Sequence, residues 1–210
     1  MVKLRSSGED WVWYAAYGSN LHAARLAVYL SGGIPEGGRR ATSGCRDPRP
    51  PRASRAVEVP GGIFFATTSL VWGGGRAFYD PGLPGTAAMR AYLITVSQFS
   101  DIAAQEMYGV VGEDLDLTEV LEAGRASLGP GRYQTLLRLP GEPVPVLTFT
   151  CPRRAGGQPG VPPSAGYLVN LARGLRESHG WPVSRIADYL AQAPGAAGHW
   201  DPSAIAALLS

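Results

Sequence analysis

The sequence has 210 residues, of which 45% are hydrophobic, and a formal net charge of +2. These values predict one folded domain with a substantial core, and they give no general reason to expect a nucleic acid partner. No apolar run approaches the roughly 20 residues that cross a bilayer, and the charged N-terminus has no signal-peptide core. The two cysteines, Cys45 and Cys151, lie far apart. We therefore expect a cytoplasmic protein without a disulfide framework or membrane contact.

The chain begins with a predicted strand, a glycine corner and a helix. Residues 13–17 are apolar and aromatic, which favours a buried strand. Gly18, Ser19 and Asn20 tolerate a tight turn and can cap a helix, and leucines and alanines then recur at helical spacing up to residue 30. Unpaired backbone N–H groups and the positive end of the helix dipole would meet at this corner. We expect an anion site there, although the pattern also fits a capped helix without a ligand.

Residues 34–56 are rich in Gly, Pro and Arg and lack a hydrophobic period, which predicts a long loop. Against one aspartate, Asp47, this segment carries six arginines: Arg39, Arg40, Arg46, Arg49, Arg52 and Arg55. Three interpretations stay open, namely a solvated loop, a surface near an anionic substrate, and contact with nucleic acid. The segment lacks the interleaved aromatics and the groove-reading helix of known nucleic acid binders, which disfavours the third.

Strands are predicted through the middle of the chain. Residues 62–68, 77–79 and 87–96 have the β-branched and aromatic composition of strands. The glycine triplet at 73–75 fits neither a dinucleotide fingerprint nor a Walker loop, so we interpret it as a close backbone approach in a turn or bulge. Further strands at 133–139 and 144–150 predict an antiparallel hairpin.

Helices are predicted around these strands. Residues 98–108 show helical spacing, with Ser97 or Ser100 as the cap, and a second amphipathic piece lies within 107–131. Ser164 and Ser184 are expected to cap two later helices, and 202–209 forms a short final one. The resulting fold class is α+β, a small and mostly antiparallel sheet curled around a cleft with flanking helices.

Motifs for common catalytic chemistry are missing from the sequence. The three histidines are too scattered for a zinc site, and neither the G-x-S-x-G elbow nor a dinucleotide fingerprint occurs. One carboxylate remains, that of Glu106 at the end of an apolar helix. If it faces inward, desolvation raises its pKa into the range that general acid/base catalysis requires. A glutamate at a helix end is also commonly solvated, so both interpretations stay open.

Five consecutive residues, Tyr17-Gly18-Ser19-Asn20-Leu21, resemble the signature of the γ-glutamylcyclotransferase-like family. Weaker matches follow in consistent order over residues 11–190: the Ser-x-x-Trp-x-Gly-Gly element at 69–75, Glu106, Tyr133 and the Pro-Ser-x-x-Tyr element at 163–167. The chain departs from the family in having Met107 where a glycine usually follows the glutamate, and in the insertion at 107–131. Bacterial proteins that are similar to this one sometimes carry a histone deacetylase name, which the sequence does not support because it lacks a zinc ligand set.

The resemblance implies a single γ-glutamylcyclotransferase-like domain over 1–210, with a core at about 11–190, the insertion at 107–131 and a helical C-terminal tail. It also implies an enzyme that releases 5-oxoproline from a γ-glutamyl amine or amide, with no metal or cofactor and a small-molecule substrate as its partner. Under this resemblance Glu106 is the catalytic acid/base. The residues that bind the substrate are Tyr17, Gly18, Ser19, Asn20, Leu21, Tyr133 and Tyr167. The alternative is a non-catalytic module on the same fold that binds an anion or small molecule. The leaving amine and the oligomeric state are not specified by the resemblance.

Overall fold

The structure, a computed structural model, describes residues 10–36, 40–141 and 143–210. The strands are Trp11–Ala16 (β1), Ala53–Pro60 (β2), Gly62–Thr68 (β3), Gly75–Asp80 (β4), Thr86–Thr95 (β5), Arg125–Ser127 (β6), Thr135–Leu139 (β7) and Val146–Thr150 (β8). The helices are Ala23–Ser31 (α1), Val96–Glu106 (α2), Thr118–Ala123 (α3), Ala165–His179 (α4), Val183–Ala191 (α5) and Pro202–Leu208 (α6). Short 3-10 turns occupy Ser19–Leu21 and Ala155–Gly157.

Six strands form one sheet in the order β2-β5-β1-β8-β7-β6, and β3 and β4 form a separate hairpin. Within the larger sheet β1 and β8 are parallel, with Trp13 opposite Val146, and the other pairs are antiparallel. The Thr150 hydroxyl at the end of β8 accepts from the Tyr79 N–H and donates to the Tyr79 C=O of β4. These two hydrogen bonds attach the β3–β4 hairpin to the sheet. The curled, mostly antiparallel α+β architecture is confirmed.

Strand β1 divides the core because its side chains alternate between the two faces of the sheet. Tyr14 and Ala16 pack with residues of α1 and α2. Ala15 packs on the opposite face, in the cluster that contains the leucines of α4. Since β1 is central and buried on both faces, the segment that leaves its end emerges between the two helical layers. The site described below lies at that point.

Several predicted boundaries change. The predicted loop at 34–56 is wrong for its last residues, because β2 begins at Ala53 and pairs with β5 as an exposed edge strand whose sequence shows little alternation. Thr95, rather than a serine, caps α2 through a capping box with Gln98. Ser164 caps α4 as predicted. Helix α5 begins at Val183 after Pro182, without a side-chain cap, so the prediction for Ser184 is wrong.

The insertion at 107–131 lies mostly away from the cleft. It contains α3 and β6, and β6 extends the sheet by pairing with β7. Only its two ends approach the site, because Tyr108 and the adjoining Arg132 line the same cavity. This segment therefore adds one strand to the edge of the sheet.

The arginine-rich segment is held mainly by contacts within the protein. Arg46 binds Asp101, whose side chain is fully buried, and it also pairs with Asp114 in the insertion. Arg52 and Arg55 lie over the rings of Trp11 and Trp13 at 5.4 and 4.4 Å. Further contacts pair Arg49 with Asp47 and place Arg40 over Tyr108, whereas Arg39 lies outside the described residues.

Both cysteines are free thiols, and burial raises the pKa of Cys45 to about 12.

Among the helices of the described residues, none combines the length and apolar character needed to cross a membrane.

Candidate active site

In the corner between β1 and α1, the backbone carbonyl oxygens of Ser19 and Asn20 are hydrogen-bonded to the surrounding protein. The Ser19 carbonyl oxygen accepts a hydrogen bond from the Asn170 side chain at 2.9 Å. The Asn20 carbonyl oxygen accepts one from the Tyr92 hydroxyl at 2.8 Å. In a helical turn the first N–H groups point opposite to the carbonyls and have no partner within the turn. The N–H groups at the start of the Ser19–Leu21 turn therefore point away from Asn170 and Tyr92, and Gly18, Ser19 and Asn20 line the inner cavity described next.

Two adjoining small cavities lie in front of this corner, each about 30 Å³ in volume. The inner cavity is lined by the corner and by aromatic side chains: Tyr14, Tyr17, Gly18, Ser19, Asn20, Glu106, Tyr133, Phe149 and Tyr167. The outer cavity shares Ser19, Glu106, Tyr133 and Tyr167 with the inner one. It also contains three arginines, Arg25, Arg76 and Arg132. Glu106 thus stands at the junction of an aromatic and a cationic compartment.

Glu106 is the last residue of α2, and its partly buried side chain faces inward. Its Oε1 accepts a 3.3 Å hydrogen bond from Asn20 Nδ2, and the Tyr29 hydroxyl also bonds to the carboxyl. Burial raises the pKa of Glu106, and the positive charge of Arg25 opposes this rise without cancelling it. A carboxyl group with a raised pKa can both take up and release a proton near neutral pH.

Tyr167 explains the glycine at the corner. Its hydroxyl accepts from the Ala77 N–H at 3.2 Å and bonds to the Ser19 backbone, and its ring stacks on Trp72 at 5.6 Å. A Cβ atom at Gly18 would lie 3.2 Å from this hydroxyl, closer than most real contacts. With φ at −103° and ψ at −146°, Gly18 lies beyond the edge of the extended region, a conformation that glycine adopts more readily than other residues. This backbone conformation and the space that the Tyr167 hydroxyl needs both favour a glycine here.

The remaining predicted binding residues differ in their placement. Tyr17 and Tyr133 present their rings to the inner cavity, while their hydroxyls donate to the carbonyls of Phe149 and Ala77. Their contribution is therefore apolar surface. Leu21 is a core residue that lies outside the lining of both cavities, and its N–H donates to the Gly18 carbonyl at 2.9 Å. Leu21 therefore packs in the core beside the site, and its predicted contact with a ligand stays a prediction.

Met107, which takes the place of the usual glycine after the catalytic candidate, is accommodated without strain. Its φ of −90° and ψ of 2° are open to any residue. The positive φ in this turn, 59°, belongs to Tyr108. The Met107 side chain lies against the backbone at Gly131. The backbone conformation at Met107 therefore does not require a glycine.

The predicted site residues do not include Tyr14, Arg25, Tyr29, Arg76 or Arg132, all of which contact Glu106 or line the two cavities. A signal was available for Arg25, which lies on the apolar face of α1 four residues before Tyr29. An arginine on the buried face of a helix needs a partner, and that requirement points to a nearby acid or anion. Arg76 lies in a strand that is buried along its whole length, where no alternation indicates which side chains face the cleft.

No family model matches the chain. The fold is similar to that of an uncharacterized protein from Homo sapiens, with a TM-score of 0.54 and 16% identity over 89% of this chain and 90% of the other. A gamma-glutamyl cyclotransferase gives a TM-score of 0.53 and 15% identity over 88% and 89% of the two chains. The chain therefore has the γ-glutamylcyclotransferase-like fold, and the resemblance predicted from the sequence is confirmed.

A curated relative is similar in sequence. The chain is 34% identical over 189 residues to the Arabidopsis thaliana protein named histone deacetylase 5. The match takes in 79% of this chain but spans only 28% of that protein's length. Within residues 10–36, 40–141 and 143–210, no group of three or more His, Cys, Asp or Glu side chains is placed to hold a metal ion.

Proposed function

We propose that this protein is a γ-glutamylcyclotransferase-like enzyme that releases 5-oxoproline from a γ-glutamyl amine or amide. One observation carries the proposal: the corner and Glu106 face the same inner cavity, where Asn20 and Glu106 are in hydrogen-bond contact. An anion-binding backbone and a carboxyl group with a raised pKa are the two components that this cyclisation needs. The fold, shared with a gamma-glutamyl cyclotransferase, supports the same reaction class.

In the proposed reaction, N–H groups of the corner bind the α-carboxylate of the γ-glutamyl group. Glu106 takes a proton from the substrate's α-amine, and the amine nitrogen then attacks the γ-carbonyl carbon. The new C–N bond closes a five-membered ring. The original amide bond breaks as Glu106 returns the proton to the leaving nitrogen. No water is consumed and no protein nucleophile is needed, because the attack is intramolecular and positioning supplies much of the acceleration.

The surroundings of Glu106 suit both halves of this proton transfer. Asn20 and Tyr29 orient the carboxyl group, and the Arg25 charge keeps the ionised form accessible despite burial. The aromatic rings of Tyr17, Tyr133 and Phe149 would lie against the apolar methylenes of the γ-glutamyl chain in the inner cavity. The leaving amine would then point into the outer cavity.

The test is to incubate the wild type and Glu106→Gln with a panel of γ-glutamyl amides and measure 5-oxoproline. The amide side chain keeps the volume and the contact with Asn20 but cannot accept the proton, so we expect turnover to fall by about 10²-fold to 10⁴-fold. Glu113→Gln, an exposed glutamate of the insertion, is the matched control and should behave as wild type. Equal turnover by wild type and Glu106→Gln would remove Glu106 from the mechanism. No product from any protein would favour the non-catalytic binding module.

A further inference from the structure

The outer cavity carries more positive charge than the carboxyl group beside it balances. Its lining includes the guanidinium groups of Arg25, Arg76 and Arg132, and among the described residues that line it Glu106 is the single acidic one. Even with Glu106 ionised, two positive charges remain unbalanced in this small cavity. Charges that are partly removed from water need a counter-charge or hydrogen-bond acceptors nearby.

Arg25 and Arg76 are deeply buried, with exposed fractions of 3% and 7%. Nε and Nη1 of Arg25 and Nε of Arg76 find no hydrogen-bond acceptor among the described residues. Arg25 lies over the Tyr29 ring at 4.2 Å, and Arg76 donates through Nη2 to the Thr68 carbonyl, so both side chains are held in place. A buried donor without an acceptor destabilises the folded state, and a charged donor does so more strongly. Two fixed arginines with free donors are typical of a site that is completed by an anion.

Arg132 forms the outer wall of this cavity. Its guanidinium stacks on the Tyr108 ring at 3.2 Å, and Arg40 lies over the same ring at 4.1 Å. Tyr108 adopts a φ of 59°, which is unusual for a residue other than glycine and directs its ring to this position. Stacking leaves the edge of a guanidinium group available for hydrogen bonds. Arg132 is therefore positioned to bind a ligand that already contacts Arg25 and Arg76.

We propose that the outer cavity binds a leaving amine that carries two negative charges, either two carboxylates or a phosphate monoester. This inference rests on the proposed function, because it assigns the leaving side of the same substrate. Guanidinium groups bind carboxylate and phosphate oxygens in bidentate fashion, so both dianions suit the cavity. Glu106 lies between the two compartments, next to the bond that would break.

The experiment compares γ-glutamylglutamate with γ-glutamylglutamine, which are nearly isosteric and differ by one carboxylate. We expect kcat/KM for 5-oxoproline release to be about 10-fold or more higher for the acidic compound, equivalent to about 1.4 kcal/mol. Arg132→Gln and Arg25→Gln should each reduce this preference. Arg185→Gln, whose side chain forms a surface pair with Glu58 at 3.3 Å, should retain it. Arg132 is only partly buried, so its variant remains informative if Arg25→Gln fails to fold. A third compound, γ-glutamyl-phosphoethanolamine, whose leaving amine carries a phosphate monoester and no carboxylate, distinguishes phosphate from dicarboxylate.

Failure of this inference is separable from failure of the proposed function. Turnover of both compounds at equal rates would support the cyclotransferase and overturn the anionic leaving group. If neither compound yields 5-oxoproline, their binding to the wild type is measured by calorimetry. Tighter binding of the acidic compound, reduced in Arg132→Gln, would still support the cationic subsite. Equal or undetectable binding would overturn it.

Discussion

The side-chain amide of Asn20 donates to the carboxyl group of Glu106 across 3.3 Å, although 86 positions separate the two residues in the chain. The same amide nitrogen also lies 3.2 Å from the Tyr14 hydroxyl. Asn20 is 2% exposed, so neither contact competes with bulk water. The contact fixes the position of the acid/base candidate relative to the corner that would bind the substrate carboxylate.

The activity of the wild type should fall toward acid pH at a higher pH than an ordinary glutamate would give. Glu106 must be ionised to take the proton from the amine, and burial raises its pKa. The acid limb of a kcat/KM profile measures this pKa in the free enzyme. Asn20→Ala removes a hydrogen bond to the ionised form, so its acid limb should move to still higher pH. An acid limb at the ordinary glutamate pKa, unchanged in Asn20→Ala, would contradict the assignment.

Stability should depend on pH through the same residue. Since the pKa of Glu106 is higher in the folded than in the unfolded state, the folded state binds more protons between the two values. The contribution of Glu106 to stability is therefore fully present below the unfolded pKa and is lost as pH rises through the folded pKa. Urea unfolding of wild type and Glu106→Gln at several pH values measures it. The wild type should lose stability relative to the variant from about pH 4.3 upward, and a constant difference would refute this.

Gly18→Ala should impair activity more than stability. The added methyl group would lie 3.2 Å from the Tyr167 hydroxyl, so this hydroxyl must shift within the cavity wall, whereas the negative φ of Gly18, −103°, is open to alanine and only its ψ of −146° lies beyond the extended region. We expect turnover to fall by about 10-fold or more, with an unfolding free energy within about 1 kcal/mol of wild type. In Gly156→Ala the new methyl group meets nothing within 4 Å, so this control should match wild type in both measurements. Full activity in Gly18→Ala would separate Tyr167 from the reaction.

Arg46→Gln should destabilise the fold without entering the site. Asp101 has no exposed surface, and its carboxylate accepts from the Arg46 backbone N–H at 2.8 Å and from Nε at 3.0 Å. Removing the guanidinium group leaves a buried carboxylate without its counter-charge, which we expect to cost about 3 kcal/mol in chemical unfolding. Arg173→Gln, from an exposed pair with Glu36, should cost less than about 1 kcal/mol. Similar losses in the two variants would contradict a structural role for Arg46.

The sequence predicts the fold well where local signals agree with tertiary packing. β1 has a continuous apolar pattern because both of its faces are buried, and Ser164 caps α4 where a local side-chain bond to Tyr167 N–H determines the helix start. Strand β2 was not predicted because it is a mostly exposed edge strand without a hydrophobic face. Its conformation depends on hydrogen-bonded pairing with β5.

The site could be predicted only in part. The corner and Glu106 are indicated by short motifs, since each depends on a local turn or helix end. The cationic wall depends on tertiary proximity among Arg25, Arg76 and Arg132, which come from α1, β4 and the segment before β7. No local pattern relates these three positions. Composition instead drew attention to the cluster at 39–55, where the buried Asp101 engages Arg46 and the neighbouring arginines lie over aromatic rings.

The central claim is that the corner and Glu106 act on one bound molecule, and a crystal structure of Glu106→Gln with a γ-glutamyl amide tests it most directly. The account predicts the α-carboxylate at the N–H groups of the corner and the α-amine within hydrogen-bond distance of the residue 106 side chain. The leaving amine should extend toward Arg132. A γ-glutamyl group bound elsewhere, or bound with its α-amine far from residue 106, would contradict the account.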